Sequence, residues 1–463
     1  MPPTLERRYA VNLPRRALPF VLVLLALVAP AAAEAARTDA PGAAQEPLAP
    51  QEWWRSPVGA DAVVPPGAGK PVTVIDSGLD ITHEEFRTRP DTTLMNTQTL
   101  FGIDDDHGTE VASVVAAPVN HLGLVGVYPQ AALRSWDASP FGVISATAAA
   151  QGIVAAANAG PGVINMSFGG PEPDPRVERA ILYAVRRGSL VVVSAGNEGL
   201  AGNPLSYPAS YPHVLTVSAT DQTGIAAVFS SQSRYVDLAA PGSRIPVAEP
   251  VEDDPSGYIR ASGTSFSAPM VAGAAALVWT ARPDLDNTQL FEVMRMSARD
   301  VGPPGHDLAT GFGVLDIPAA LAFPAPPPDP SEPNDDVDEV SPTGLFAGGQ
   351  PAITTPANRS ATLLARVDRY EDPHDVYRVF VPPHGSSTAR TEGGAVDLRI
   401  YPAGARSISV RPVAISAHRG QPFEAATVRN RTARGFYAYV EIRPEPVTAR
   451  TSYTLRVTTA ARP

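Results

Sequence analysis

Two periodicities divide this chain. Between residues 72 and 217 four short runs of apolar, mostly β-branched residues recur: Val72-Thr73-Val74-Ile75, Val163-Ile164-Asn165-Met166, Leu190-Val191-Val192-Val193 and Val214-Leu215-Thr216-Val217. They do not alternate with polar residues, which is how strands buried on both faces read. Helical stretches lie between and after them: Gly108 to Ala117, Ser145 to Ala159, Arg176 to Arg187 and Phe266 to Thr280. Strands alternating with helices of this length predict an α/β fold around a mainly parallel sheet. The pattern closes near Gly311 to Asp316, followed by a short Ala-rich helix. Six of the ten residues from Pro324 to Pro333 are then proline, a stiff extended linker. Beyond it the period drops to two. Val396, Leu398 and Ile400, then Phe436, Ala438, Val440 and Ile442, then Tyr453, Leu455 and Val457 alternate with polar or larger neighbours, predicting an all-β sandwich over residues 334–463. The α/β region spans 71–322, the linker 323–333, and a flexible lead-in with the start of the mature domain occupies 34–70.

Composition narrows the setting. A 463-residue chain that is 44% hydrophobic holds two or three domains with ample core. A formal charge of −11 gives no support to binding nucleic acid or an anionic membrane, which would need a basic patch, and Lys70 is the only lysine. Arg7, Arg8, Arg15 and Arg16, the apolar run Leu18 to Val28 and Ala31-Ala32-Ala33 read as a secretory signal over residues 1–33, with Arg15-Arg16 a loose match to a twin-arginine signal. The apolar run falls short of the roughly 20 residues of a membrane anchor, so no transmembrane anchor is expected after cleavage. Removing four Arg and one Glu with the signal takes the exported chain from −11 to −14. The absence of cysteine excludes disulfides, thiolate metal sites and a lipidated cysteine.

Three short strings carry chemistry: VIDSG ending at Gly78, DHGT around His107 and SGTSFSAP around Ser265, with GNEG at 196–199 between the last two. A hydroxyl becomes a nucleophile when an imidazole takes its proton, and the imidazole needs a carboxylate to fix its tautomer. Asp76 ends a strand, where open α/β sheets keep their active sites. Ser265 sits where a Gly-rich turn becomes a helix, so its N–H and the helix N-terminus face developing negative charge. Pro269 falls near the first turn, where a missing N–H is tolerated. Singly, each residue also reads as a turn former or helix cap; together and in this order they point to a serine peptidase.

The strings VIDSGLD, HGTEVASVVAA, INMSFGG, VVVSAGNEG, SYPASYP and SGTSFSAPMVAG resemble the subtilisin family of serine peptidases, over a little more than half the chain. The resemblance implies the subtilisin-like three-layer fold and hydrolysis of peptide bonds through an acyl-enzyme, with protein or peptide substrates and no cofactor for the chemistry. It implies Asp76, His107 and Ser265 as the triad and Asn197 as side-chain donor of the oxyanion hole. Ser167, Phe168 and Gly169 would line one side of the pocket for the residue before the scissile bond, and Ser194, Ala195 and Gly196 the other. Pro140 to Val143 would offer a second edge for an extended substrate. Ser206 falls near the pocket floor, where many relatives carry Gly, and the loop before it is about two residues shorter. A shallower pocket preferring medium apolar or aromatic residues follows, unless Ser206 is a loop residue outside it.

Glu110 and Ser113 depart from the commonest pattern after HGT, as do Phe266 and Ser267 after the nucleophile, yet no catalytic group is lost. Only about 40 residues separate the signal from the first catalytic strand, too few for the folded propeptide of many secreted relatives. Gln51-Glu52-Trp53-Trp54 resembles the segment that often opens the mature domain. Glu85 and Asn120 match positions of a structural Ca²⁺ site in relatives, and equally read as a surface carboxylate beside a turn Asn. The C-terminal region resembles the bacterial pre-peptidase C-terminal domain through Glu332-Pro333-Asn334-Asp335-Asp336, Asp375 to Val379, Asp397 to Tyr401 and Tyr453 to Val457. Such domains are removed after export or help to bind substrate. Its acidic residues offer a second place for Ca²⁺, or a solvated face. A monomeric bacterial enzyme, secreted, periplasmic or at the cell surface, is expected. The rivals are a catalytically silent binding protein, an adhesion protein whose activity lies in the β-domain, and an acid peptidase with a carboxyl base, which His107 argues against.

Overall fold

A computed structural model describes residues 42–99, 107–139, 142–251, 253–421 and 423–461. The expected secretory signal, the first residues of the lead-in, and Pro140 and Phe141 of the second substrate edge lie outside the described residues. Seven strands form the central sheet: β1 (Pro71–Asp76), β2 (Thr92–Leu94), β3 (Ala132–Asp137), β4 (Val163–Met166), β5 (Leu190–Ser194), β6 (Leu215–Thr220) and β7 (Leu238–Pro241). Their order is 2-3-1-4-5-6-7 and every neighbouring pair is parallel. Both faces are covered, which is why these strands read as unbroken apolar runs. Successive residues of β4 go to opposite layers. Val163 joins the core with α1 (His107–Ala116), while Ile164 and Met166 join the core with α2 (Ala146–Asn158) and α3 (Pro175–Arg186).

The long helix α4 (Thr264–Ala281), with α5 (Asn287–Met296) and α6 (Ile317–Ala322), packs on the α1 side. Among the described residues α4 alone is long and apolar enough to cross a membrane, but it is the buried core helix of this layer. Helices α2, α3 and α5 start at built caps. Ser145 Oγ accepts Ala148 N–H at 3.1 Å, Asp174 accepts Arg176 N–H ahead of Pro175, and Asp286 and Gln289 form a reciprocal capping box. A hairpin of β8 (Ile245–Ala248) and β9 (Tyr258–Ala261) completes this region.

The C-terminal region is a sandwich of two antiparallel four-stranded sheets preceded by one helical turn, α7 (Val337–Val340). Its strands are β10 (Ser360–Asp368), β11 (Asp375–Val381), β12 (Ser386–Glu392), β13 (Val396–Tyr401), β14 (Ala414–Ser416), β15 (Ala425–Arg429), β16 (Phe436–Pro444) and β17 (Arg450–Ala460). One sheet runs 10-17-12-15 and the other 11-16-13-14. Leu398, Val440 and Ile442 from one face Val367, Leu455 and Val457 from the other.

Two segments differ from their sequence reading. From Gly42 onward the lead-in is packed down: Glu46 Oε1 accepts His121 N–H at 2.9 Å, Glu52 Oε1 accepts Val125 N–H at 3.1 Å, and Trp54 is buried. The proline-rich linker is likewise strapped to the α/β region. Arg282 donates to Phe323 O at 2.6 Å, Gln289 Nε2 to Pro326 O at 2.7 Å, and Asp329 is buried. Proline set the linker's extended backbone, but its carbonyls still accept hydrogen bonds.

The β-sandwich docks through charge. Buried Arg295 of α5 lies 2.7 Å from Asp368 Oδ2 of β10 and 3.5 Å from Asp237 Oδ1 beside β7, while Arg366 of β10 and Arg450 of β17 pair with Glu292. His213 Nε2 sits 2.6 Å from Asp335 Oδ2.

Candidate active site

The site lies at the carboxyl ends of β1, β4 and β5, on either side of the point where the chain reverses its direction of winding across the sheet. Asp76 is the last residue of β1 and His107 the first of α1; Nδ1 of the imidazole and Oδ1 of the carboxylate are 2.8 Å apart. Ser77 N–H donates to the same oxygen at 2.9 Å, and Ser77 Oγ accepts Gly108 N–H at 2.9 Å, tying the helix start to the strand end. The fit permits only glycine at 108, because a Cβ there would lie 2.0 Å from Gly78 O. Burial alone would lower the His107 pKa; the Asp76 carboxylate, by charge and hydrogen bond, with Glu110 adding, reverses this and holds it up at about 9. Burial pushes Glu110, one helical turn along, to about 7.

Ser265 is the second residue of α4, after Gly263 in extended backbone. Asn197 stands across from it. Its amide oxygen accepts Thr264 N–H at 2.9 Å and Thr264 Oγ–H at 3.0 Å, which leaves the NH₂ end for a substrate. A Cβ at Gly263 would lie 3.4 Å from Asn197 Nδ2 and 3.7 Å from Ser265 N, so these two donors border the same space. Ser265 Oγ donates to Ser167 O at 3.1 Å, and the Phe266 ring stands 5.9 Å from that of His107, centroid to centroid. Pro269 is the sixth residue of α4 rather than part of its first turn.

The structure brings the expected pocket walls together. Ser167 to Gly169 leave the end of β4, Ser194 to Gly196 the end of β5, and Ser206 sits between them: a Cβ on Gly169 would meet Ser206 Oγ at 2.4 Å, and one on Gly196 would meet Ser206 Cβ at 3.5 Å. Gly170 and Tyr207 exchange backbone hydrogen bonds at 2.9 and 2.8 Å, fixing that register. The Phe168 ring packs on the α2–α3 core, so this residue can offer the pocket its backbone rather than its ring.

Glu85 and Asn120 also meet, but as a hydrogen-bonded pair. Asn120 Nδ2 donates to Glu85 Oε2 at 2.9 Å, Leu124 N–H and Tyr258 O–H donate to Oε1, and Asn120 Oδ1 accepts Leu122 N–H. Protein donors already serve the oxygens a cation would use, so this pair does not fit Ca²⁺.

A different acidic group lies at the entry to the β-sandwich. One oxygen each of Asp329, Glu332, Asp372 and Asp375 falls within 4.8 Å of the others. Burial and mutual repulsion push Glu332, Asp372 and Asp375 well above the usual carboxylate range. Asn334 is fully buried with its side chain beside the Asp375 carboxyl, and neither Glu332 carboxylate oxygen has a hydrogen-bond partner, His213 Nε2 standing 3.8 Å from Oε2. The sequence signal was Glu332-Pro333-Asn334 and the strand beginning at Asp375; that these meet, and that Asp372 and Asp329 join them, appears only in the fold.

Fold and site together define a subtilisin-like serine peptidase. Residues 67–313, more than half the chain, match the model of the subtilase family, and the chain belongs to that family. It is 37% identical to subtilisin Savinase of Lederbergia lenta over 239 residues, 51% of this chain and 86% of that protein. It is 37% identical to an alkaline protease of Alkalihalobacillus alcalophilus over 239 residues, spanning 60% of that protein's length. Among solved structures, the subtilisin-like protease Apa1 of Pseudoalteromonas sp. AS-11 superposes with a TM-score of 0.51 at 20% identity, over 58% of this chain and 97% of that one. Fervidolysin of Fervidobacterium pennivorans superposes with a TM-score of 0.53 at 22% identity, over 82% of this chain and 54% of that one. At these identities both speak to the fold alone.

Proposed function

We propose that the chain is an exported serine endopeptidase in which Asp76, His107 and Ser265 form the triad and Asn197 and Ser265 N–H the oxyanion hole. The observation that carries this reading is the 2.8 Å contact of His107 Nδ1 with Asp76, made beside a nucleophile turn whose Thr264 orients Asn197. Ser265 Oγ turns from Ser167 O and attacks the scissile carbonyl carbon as His107 Nε2 takes its proton. The oxyanion receives hydrogen bonds from Asn197 Nδ2 and Ser265 N–H. The C–N bond then breaks, His107 protonates the departing amine, and water hydrolyses the acyl-enzyme by the same proton route. Ser206 between the pocket walls favours a medium apolar or aromatic residue before the scissile bond. The test uses the chain without residues 1–33. A fluorophosphonate should label it and it should hydrolyse casein, with both lost in Ser265→Ala; no labelling and no hydrolysis sinks the reading.

The cluster of junction carboxylates, with both Glu332 oxygens lacking a hydrogen-bond partner and Asn334 buried beside it, supports a second site, for Ca²⁺. Asp329, Glu332, Asp372, Asp375 and the Asn334 oxygen supply the hard oxygen donors that this ion takes in sixes to eights. Bound calcium would neutralise the buried negative charge and stabilise the docked β-sandwich. Millimolar Ca²⁺ should raise the melting temperature of full-length Ser265→Ala protein by several degrees over a chelated sample, an increment lost in Asp372→Asn. Equal melting with and without calcium means that the carboxyls are held protonated instead.

A further inference from the structure

The geometry points to Ser167 as a positioning residue that holds the nucleophile's turn in place of a helix hydrogen bond; this rests on the peptidase reading above. In a regular helix the carbonyl of Ser265 accepts the N–H four residues on. Here that residue is Pro269, which has no N–H, so the carbonyl of the nucleophile's own residue loses its helical donor. Ser167 supplies the replacement: its Oγ–H donates to Ser265 O at 2.9 Å. The direction of that bond is set from the other side. Asn165 Nδ2 donates to Ser167 Oγ at 3.0 Å, so the hydroxyl accepts from Asn165 and gives its proton to Ser265. The Ser265 hydroxyl in turn donates to Ser167 O, and the two residues hold each other at both ends.

Asn165 and Ser167 are buried, and β4 pairs in register with β1, which ends in Asp76. The Ser167 bond therefore references the first turn of α4 to the strand neighbouring the one that fixes His107. Small errors in such placement cost rate rather than binding. Ser167 does not touch reacting atoms in this role; it acts through the backbone of Ser265.

A double-substitution cycle tests this in the otherwise intact chain. Ser167→Ala should lower kcat on a short peptide substrate about tenfold, with KM nearly unchanged, and slow labelling by a short-chain alkyl fluorophosphonate to match. In a Pro269→Ala background, where an N–H returns at position 269, the same Ser167→Ala change should cost less than about threefold. Equal losses in both backgrounds, or a Ser167→Ala loss confined to KM, overturn the inference. If the double variant melts below the assay temperature, Ser167→Thr decides, since it keeps the hydroxyl. Activity well above that of Ser167→Ala supports the inference, and an equal loss overturns it. If the unsubstituted chain neither cleaves nor labels, it is the peptidase reading that has failed; an active chain indifferent to Ser167→Ala refutes only the positioning role.

Discussion

Asn197 and Thr264 are joined twice, the amide oxygen of the first accepting both the N–H and the hydroxyl of the second, at 2.9 and 3.0 Å. The donor of the proposed oxyanion hole is thus oriented by the residue immediately before the nucleophile. Asn197→Leu is expected to lower kcat by about 10²–10³, the range for loss of this side-chain donor in subtilisin, with KM little changed. Thr264→Val keeps the backbone bond and removes the hydroxyl, and should cost about tenfold. Steady-state kinetics on one peptide substrate check both, and an effect on KM alone counts against the assigned role.

The pH dependence has a definite sign. His107 acts as a base only when neutral, and its pKa is raised, so kcat/KM should climb as pH rises through the range between 6.5 and about 9. The Glu110 carboxylate contributes to that rise. Glu110→Gln should therefore shift the acid limb to lower pH. A limb that stays in place, or moves up, shows that Glu110 does not act on the imidazole.

Gly108 allows α1 to start against the Gly78 carbonyl. Gly108→Ala inserts a methyl where there is no room, and the displaced helix start carries His107 with it. An activity loss of more than about 10²-fold is expected with the protein still folded, measured by fluorophosphonate labelling beside circular dichroism. Activity near that of the unsubstituted chain would show that the contact is soft.

Arg295 is the buried cation between the two regions, facing Asp368, Asp237 and Glu292. Arg295→Met leaves Asp368 and Asp237 without their cation, Glu292 keeping Arg366 and Arg450, and should lower unfolding stability by about 3–5 kcal/mol. Urea denaturation of the Ser265→Ala chain measures this without self-digestion. A loss below about 1 kcal/mol means that the network rearranges around the gap.

The strands at the heart of the sheet were legible because double burial writes them as unbroken apolar runs. β3 was not, since Arg134 and Trp136 interrupt it, and β2 is three residues of which Thr93 and Leu94 are exposed. β7 reads Leu-Ala-Ala-Pro, without a β-branched residue. α5 was missed although Asp286 and Gln289 announce its capping box. The strings around Asp76, His107, Asn197 and Ser265 stood out because tight turns at such a site demand small residues at fixed offsets. Contacts made by folding left no local trace. Ser167 and Ser265 are separated by 98 positions, and nothing near Glu85 announced that Leu124 and Tyr258 would take up its oxygens.

The strapped linker has a consequence for survival among active copies of the enzyme. A peptidase must grip its target as a free, extended strand, so the first substrate such an enzyme meets is any loose stretch of its own chain. Residues 323–329 are extended but not free, because Arg282, Thr288 and Gln289 hold them against the helical layer. The stretch whose composition most suggests a hinge is thereby withheld from neighbouring copies of the enzyme, and the two regions stay joined where cutting would most easily part them.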